Sequence, residues 1–413
     1  MRIVHFSDVH IGVESFSRTD PETGLPSRLL DFLSTLDEVA DYCIDNEADL
    51  ALFCGDAYKS RDPSQTHQRE FAKRIARLSN AGVPTFLLEG NHDTPAVAGR
   101  ATALDIFQTL DVRGVTVGNQ PETYRVVTRS GPVQIIAVPW VRRSGFLARD
   151  ETRGLAPEQV NELIQARLTD IVADRVASLD PTVPAVLAGH LTVSEAKTSS
   201  EQSMMLGRDY VLLKSSLAVP QLDYVALGHI HRHQVLGERP HLVYSGALQR
   251  VDFGEEKDDK GFCVVELDPA GEQGQRMTSF EFVEVNARRL LTIAVDVKDG
   301  DINPTATVLA QIAKHEVADA VVRLRISIGA GDEAGLSDAP MRTALEGAHF
   351  VASISRDVRQ EARTRLGGEY DSSTGPRQAL ELYLKAAEVP EERAAVLLEY
   401  ADSIIEDTEP ERP

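Results

Sequence analysis

The sequence predicts an α/β protein in which mixed β-sheets are flanked by helices. Five short apolar runs, RIVHF, DLALF, PTFLL, PAVLA and DYVAL, have the composition of buried parallel strands. Amphipathic stretches with helical spacing, residues 29–43 and 160–172, alternate with such runs, as in βαβ units. Shorter strand candidates, TYRVV, VQIIAVPW and HLVYSG, indicate that the second part of the sheet contains antiparallel pairs.

The length of 413 residues predicts more than one domain. We expect a large domain over residues 1–285. Strand-like LLTIAVDV, AVVRLRISI and FVASIS alternate with two helical stretches and predict a smaller α+β domain over residues 286–366. A Gly/Ser-rich linker and two acidic helices complete the chain over residues 367–413.

Charge and cysteine content restrict the class of protein. The net charge of −21 argues against a protein that coats nucleic acid, and the last 26 residues hold nine acidic side chains against two basic ones. An acidic enzyme can still engage phosphates through bound cations. The three cysteines have no CxxC spacing and are predicted to be buried. Because no apolar run approaches a membrane span and no signal peptide precedes RIVHF, we expect a cytoplasmic protein.

Side chains that can bind metal ions follow each of the five apolar runs. In open α/β sheets, ligands bind beyond the carboxyl ends of the strands, so these side chains should converge. The predicted ligands are Asp8 and His10 in SDVH, Asp56 in CGD, Asn91 in EGNHD, His190 in AGH, and His229 and His231 in GHIH.

The ligand types predict the metal and its chemistry. Carboxylate, amide and imidazole donors without a thiolate suit manganese, iron or zinc, and Cys54 is interpreted as a buried strand-end thiol. Asp56 stands in the middle of the series and is the natural bridge between two ions, which would activate water and align it with a phosphorus atom. His92 is predicted to act on the leaving group, with Asp93 as its orienting partner.

The motifs SDVH, GD, GNHD, GH and GHIH, in this order, resemble those of the calcineurin-like metallophosphoesterase superfamily. Within it, the chain is similar to the DNA double-strand break repair nucleases of bacteria. Further support comes from the start MRIVHFSDVHIG, from VPW at 138–140, and from YSGALQRVDFGEEKDDKGF at 244–262. The resemblance covers roughly residues 1–268 and implies a sandwich of mixed sheets flanked by helices, with the smaller domain as a DNA-facing cap.

The resemblance also implies a ligand assignment and an activity. It places one ion, most often manganese, on Asp8, His10, Asp56 and His231, and a second on Asp56, Asn91, His190 and His229. It implies ATP-modulated double-strand exonuclease and single-strand endonuclease activity in DNA repair, with an SbcC-type coiled-coil ATPase as partner. The chain has no P-loop of its own, in keeping with a partner that binds the nucleotide.

Three further expectations follow from the resemblance. Some relatives carry a substrate-placing histidine where this chain has Lys59, and a lysine there can contact a phosphate or be a solvated loop residue. A homodimer is implied, with residues of the stretch after Pro63 in the interface or in the core: Phe71, Ile75 and Leu78. The terminal helices either pack on the ATPase or fold back, through an apolar face made of Leu380, Leu384, Val396, Leu397, Tyr400 and Ile404.

Three hypotheses about function remain open at this point. The first is a manganese-dependent DNA nuclease subunit that works with a coiled-coil ATPase, located in the cytoplasm and associated with the nucleoid. The second is a stand-alone phosphoesterase that acts on nucleotides, phosphoproteins or small phosphodiesters. The third is a non-catalytic scaffold on the same fold, of which loss of metal ligands would be the mark.

Overall fold

The protein is described from a computed structural model. It describes residues 1–95, 99–142, 146, 154–198, 210–359, 375–387 and 389–408. Most of the predicted Gly/Ser-rich linker therefore lies outside the described residues. The chain divides into two compact units. The first comprises Met1–Ile293, Glu316–Arg323 and Leu345–Ser353, and the second comprises Ala294–His315, Leu324–Ala344 and Ile354–Pro413.

The described strands and helices alternate along much of the chain. In chain order the strands are β1 (Arg2–Phe6), β2 (Leu50–Phe53), β3 (Thr85–Leu88), β4 (Val115–Gly118), β5 (Thr123–Thr128), β6 (Gly131–Val138), β7 (Ala185–His190), β8 (Thr192–Val193), β9 (Val211–Leu212), β10 (Tyr224–Gly228), β11 (Gln234–Glu238), β12 (His241–Tyr244), β13 (Gly261–Leu267), β14 (Met277–Glu284), β15 (Leu290–Asp296), β16 (Val321–Gly329) and β17 (Phe350–Arg359). The helices are α1 (Ser27–Asp45), α2 (Gln65–Asn80), α3 (Asp105–Thr109), α4 (Pro157–Ala177), α5 (Lys214–Leu217), α6 (Pro304–Ile312), α7 (Asp338–Ala344), α8 (Pro376–Ala386) and α9 (Glu391–Thr408), with 3-10 turns at Phe253–Glu255 and Glu333–Gly335.

The first unit contains two six-stranded mixed sheets. The first sheet has the order β14-β13-β1-β2-β3-β4, in which β1 to β4 are parallel and β13 runs antiparallel to β1 and β14. The second has the order β11-β12-β10-β7-β6-β5, with a parallel centre and antiparallel edge strands. The prediction of mixed sheets is confirmed, and the five apolar runs are divided between the two sheets.

Three apolar layers hold the first unit together. One lies between the sheets and joins side chains such as Leu52 of β2 with Ile135 of β6 and Ala226 of β10. A second packs α1 and α2 on the first sheet, and a third packs α4 on the second sheet. Burial of both faces of the central strands explains why their sequences are continuous apolar runs. The fold predicted from the sequence, a sandwich of mixed sheets flanked by helices, is therefore confirmed.

The possible dimer residues lie in the core of the first unit. Phe71, Ile75 and Leu78 of α2 are at most 2% exposed and pack in the layer beneath α1. The alternative that these three side chains form a subunit interface is therefore wrong. The homodimer itself stays a prediction. The three cysteines are buried, as predicted.

The strands β15, β16 and β17 form a three-stranded sheet in that order. Each of these strands is divided between the two compact units. The domain boundary predicted from the sequence, between residues 285 and 286, would instead keep each strand within one domain. That boundary stays a prediction. The helices α8 and α9 contact each other, with Arg377 bonded to Asp402. Among the described residues, no helix combines the length and the apolar character needed to cross a membrane.

Candidate metal centre

The predicted ligands lie at the carboxyl ends of strands from both sheets of the first unit. Asp8 and His10 follow β1, Asp56 follows β2 and Asn91 follows β3, all in the first sheet. In the second sheet, His190 is the last residue of β7, and His229 and His231 follow β10. Backbone hydrogen bonds from Asp8 N to Gly55 O and from His10 N to Asp56 O tie the loops after β1 and β2 together.

One group of ligand atoms surrounds His10. Its Nε2 lies 2.9 Å from Nε2 of His231, 3.9 Å from Oδ1 of Asp8 and 3.6 Å from Oδ2 of Asp56. Four side chains thus offer two ring nitrogens and two carboxylates to one small volume. All four residues are at most 3% exposed.

A second group surrounds Asn91. Its Oδ1 lies 2.9 Å from Nε2 of His190 and 3.0 Å from Nδ1 of His229. Oδ2 of Asp56 is 3.5 Å from the same His190 nitrogen. Because this oxygen of Asp56 also approaches His10, the Asp56 carboxylate stands between the two groups, where a bridging ligand must stand.

Four of the seven predicted ligands have an unusual backbone. Asp8, His10, Asp56 and His229 have φ of 52°, 49°, 61° and 95°. Each left-handed non-glycine residue costs on the order of 1–3 kcal/mol, and such residues concentrate at functional sites. The rest of the fold therefore stabilises these turns against their local preference.

Glycines next to the ligands permit close packing of the loops. A Cβ on Gly90 would lie 2.1 Å from Oδ1 of Asp56, and one on Gly228 would lie 2.1 Å from the Cys54 carbonyl oxygen. Gly55, with φ of 94°, would bring a Cβ to 2.3 Å from Nδ1 of His190. Three of the four glycines beside the ligands thus serve close approach of the backbone. Gly189 differs, because a Cβ there would meet only leucine side chains, at 3.0 Å or more.

The predicted pairing of His92 with Asp93 is wrong. Nδ1 of His92 lies 2.7 Å from the Lys59 carbonyl oxygen, so this backbone group orients the ring. The buried Asp93 carboxylate instead accepts hydrogen bonds from the N–H groups of Asp56, Ala57 and Gly90, at 2.8, 3.0 and 3.0 Å. Its position is explained by the turn after β2, which presents two N–H groups to it. Asp93 therefore positions Asp56 and does not touch the His92 ring through these bonds.

The electrostatics of the centre favour a cation. Burial raises the pKa of Asp8. Burial would raise the pKa of Asp56 as well, but the His190 and His92 imidazoles outweigh it and hold that pKa well below its usual value. Burial lowers the pKa of His190, yet the Asp56 carboxylate outweighs burial and raises it to about 9. The buried carboxylate thus attracts positive charge, which a metal ion supplies more strongly than an imidazolium.

The donor set fits two divalent ions. Buried oxygen and imidazole donors converge within 4.8 Å of one another, in sets that include Asp8, His10 and His231 and also Asp8, Asp56 and His190. Sγ of Cys54 is bonded to the Ala226 carbonyl oxygen, so the thiol is turned away from these sets. Hard and borderline divalent ions prefer such donors.

Two further groups at the centre were not predicted. Glu255, in the 3-10 turn, accepts a hydrogen bond from Nδ1 of His231 at 2.7 Å. Trp140 lies beside His229, with ring centroids 5.2 Å apart and the ring planes tilted by 35°. Both belong to segments, GEEKDDKGF and VPW, that support the family resemblance but to which the sequence assigned no role. The available signal for Glu255 was its place in a charged segment that supports the family resemblance.

Two basic side chains lie on the loop next to the ligands. Lys59 is exposed, and its backbone is fixed by the bonds of its N–H to Ile11 O and of its carbonyl to His92. Arg61 is also exposed and donates from Nε to the Asn91 carbonyl oxygen at 3.3 Å. Sequence reasoning missed Arg61.

A family model for calcineurin-like phosphoesterases matches residues 1–233, which is more than half of the chain. The chain therefore belongs to the calcineurin-like phosphoesterase family, as its fold and its clustered ligands indicate. Among curated relatives, the SbcD component of the Escherichia coli nuclease SbcCD is 24% identical over 261 residues, which cover 62% of this chain and 62% of that protein. The matched part thus spans less than two thirds of that relative.

Similarity extends to a break-repair protein and to a solved phosphatase structure. The DNA double-strand break repair protein Mre11 of Haloferax volcanii is 25% identical, over 69% of this chain and 54% of that protein. Among solved structures, a dimetal phosphatase from Danio rerio is 10% identical with a TM-score of 0.35, over 69% of this chain and 98% of that one.

Proposed function

We propose that the chain is a metal-dependent DNA nuclease subunit that hydrolyses phosphodiester bonds through a binuclear centre. The observation that carries the proposal is the convergence of seven predicted oxygen and nitrogen ligands with His92 beside them. Relatives named as nuclease and break-repair proteins support DNA as the substrate. Two ions would supply a nucleophile from water and offset the charge that develops on the phosphate.

The protein's own residues divide the work in this proposal. Asp8, His10 and His231 would hold one ion, Asn91, His190 and His229 would hold the other, and the Asp56 carboxylate would be shared between them. Manganese is the proposed metal.

With Nδ1 held by the Lys59 carbonyl, the Nε2 atom of His92 is available to stabilise or protonate the leaving oxygen. Lys59 and Arg61 offer positive charge for a neighbouring phosphate, Arg as a fork and Lys as a point charge.

The proposal extends to partners and location. An SbcC-type coiled-coil ATPase would handle ATP, a homodimer would present two centres to DNA, and the complex would act in the cytoplasm at the nucleoid. Exposed apolar side chains of α8 and α9 support a partner at this surface: Tyr383, Val396, Leu397 and Tyr400 are 40–69% exposed. Leu384 is only 4% exposed and is therefore not part of the predicted docking face.

Degradation of linear duplex DNA in Mn²⁺, with and without the ATPase and ATP, tests the proposal. His92→Ala should lower the rate about 10²- to 10⁴-fold, as expected for loss of general acid catalysis, while two ions stay bound. His315→Ala, a histidine of the second unit, is the matched control and should keep the wild-type rate.

Two outcomes would contradict the nuclease proposal. Cleavage of a small phosphodiester with linear duplex DNA left intact, even with the ATPase, would favour the stand-alone phosphoesterase. A metal content near zero together with full function of His92→Ala would favour the scaffold.

A further inference from the structure

A buried ion pair lies directly behind one of the ligands. Nζ of Lys260 is 2.7 Å from Oε2 of Glu255, and both side chains are fully buried. Taking two charges out of water is costly, and such a pair often adds nothing to stability compared with apolar residues of similar size. Stabilisation of the fold therefore does not explain this pair, which indicates a role in the adjacent site.

The pair grips His231 at two points. Oε1 of Glu255 accepts from Nδ1 of His231 at 2.7 Å, and Nζ of Lys260 donates to the His231 carbonyl oxygen at 3.0 Å. The second carboxylate oxygen of Glu255 also accepts from the Val251 N–H at 3.1 Å. Ring orientation and backbone of this ligand are thus fixed by one charged unit.

His190, a ligand of the other ion, is held differently. Its Nδ1 bonds to the Cys54 carbonyl oxygen at 2.7 Å, which is a neutral acceptor. A carboxylate behind an imidazole raises the basicity of the ligating nitrogen more than a carbonyl does, and fixes which nitrogen carries the proton. The two halves of the centre therefore differ in the support behind these two histidines.

We propose that Glu255 and Lys260 are positioning residues. They would selectively raise the affinity for the ion bound by Asp8, His10 and His231. Glu255 accepts a hydrogen bond from the Nδ1–H group of His231, so the Nε2 atom keeps its lone pair for the ion. Lys260 neutralises the buried carboxylate and fixes its direction. The inference rests on the proposed binuclear centre. It adds that the buried ion pair raises the affinity for the ion on His231.

The test compares Mn²⁺ binding by wild type with that of Glu255→Gln and of the double variant Glu255→Gln/Lys260→Met. The double variant removes the unpaired ammonium that the single variant leaves buried, so it protects against simple misfolding. Asp223→Asn/Arg276→Met is the matched control, because it removes another buried ion pair of the same unit, with N and O atoms 3.1 Å apart. Thermal unfolding verifies that each variant is folded.

Two readouts separate the ions. Electron paramagnetic resonance counts total bound Mn²⁺, and quenching of Trp140, the single tryptophan of the chain, reports the ion near His229. Both Glu255 variants should bind the ion on His231 about 10- to 100-fold more weakly, the usual effect of losing such a support. The Trp140 quenching curve and both readouts of the control should match wild type.

Each alternative result has a definite meaning. Unchanged total binding in the folded double variant would overturn the inference and leave the proposed function standing. An equal shift of the Trp140 curve would also overturn it, since the pair would then act on both ions. Fewer than two Mn²⁺ per wild-type chain would instead contradict the binuclear centre itself.

Discussion

At the scale of single residues, hydrogen-bond partners decide roles that residue type leaves open. Asp93 and Glu255 are both buried carboxylates near a ligand, yet Asp93 bonds to three backbone N–H groups and Glu255 to an imidazole. The sequence indicated the first as a partner of His92 because the two are adjacent. Adjacent side chains on a tight turn point apart, so the nearest acceptor for His92 came from the Lys59 backbone.

Asp93→Asn tests the positioning role of Asp93. An amide has one acceptor oxygen and a donor that would face an N–H, so at least one buried N–H loses its partner, at a cost of about 1–3 kcal/mol. We expect a lower free energy of unfolding in urea and weaker Mn²⁺ binding, because the turn that carries Asp56 is released. Asp62→Asn, on an exposed loop, should change neither. Wild-type behaviour of Asp93→Asn would contradict the role.

His5 makes stability depend on pH. It is fully buried in β1, between Tyr224 Oη and the Leu227 carbonyl, and burial lowers its pKa from 6.5 to about 3. Below pH 6.5 the unfolded chain binds a proton at His5 that the folded chain excludes, so the contribution of His5 to stability falls toward pH 3 by about 1.4 kcal/mol per pH unit. Urea unfolding measured between pH 7 and 4.5 gives the free energy of unfolding as a function of pH. This pH dependence should be weaker in His5→Gln than in wild type and unchanged in His315→Gln. Equal slopes for wild type and His5→Gln would refute this.

At the scale of elements, strand ends and the glycines beside them build the centre. The loops after β1, β2 and β3 meet because parallel neighbours end at one edge, and the second sheet brings β7 and β10 to the same place. The carboxyl ends of strands were predictable from apolar runs. The stacking of two sheets was not, since periodicity within a strand carries no information about which sheet it joins.

Gly90→Ala tests the close approach of two strand ends. Its Cβ would lie 2.1 Å from Oδ1 and 2.4 Å from N of Asp56, so the bridging carboxylate must move. We expect loss of bound Mn²⁺ at micromolar metal, measured by elemental analysis after gel filtration. Gly347→Ala, with no atom within 4 Å of the added Cβ, should retain the metal. Retention of two ions in Gly90→Ala would show that the turn adapts.

At the scale of the whole molecule, the buried ligands couple metal binding to stability. Clustered carboxylates and histidines are held together by strained turns, and ions that bind only the folded state stabilise it by mass action.

Metal removal should therefore lower the unfolding temperature. At 100 times the dissociation constant, one bound Mn²⁺ contributes about 2.7 kcal/mol to the folded state, and EDTA should abolish this gain. Scanning calorimetry with and without Mn²⁺ measures the shift. Asp56→Asn is the matched variant, and its unfolding temperature should respond little to Mn²⁺. A wild type whose unfolding temperature does not respond to chelator would contradict the proposed binuclear centre.

The exposed face of α9 gives a prediction for the assembly. Val396→Asp and Tyr400→Asp place charge where an apolar partner surface is proposed and should weaken binding of the coiled-coil ATPase at least about tenfold, a change of about 1.4 kcal/mol. Glu399→Gln, on the same helix, should bind as wild type. Co-purification with the ATPase and analytical ultracentrifugation measure the effect. Unaltered binding by both aspartate variants would remove α9 from the interface.

The sequence by itself determined the central apolar strands, amphipathic helices such as α1 and α4, and the donor types, because burial periodicity and donor chemistry are local properties of the chain. It also predicted Asp56 as the bridge from its place in the series. Only the tertiary structure decided that two sheets share the centre, that Lys59 orients His92 through its carbonyl, and that Glu255 with Lys260 supports His231. Those contacts join residues that are distant in the chain, and their geometry follows from how the strands pack.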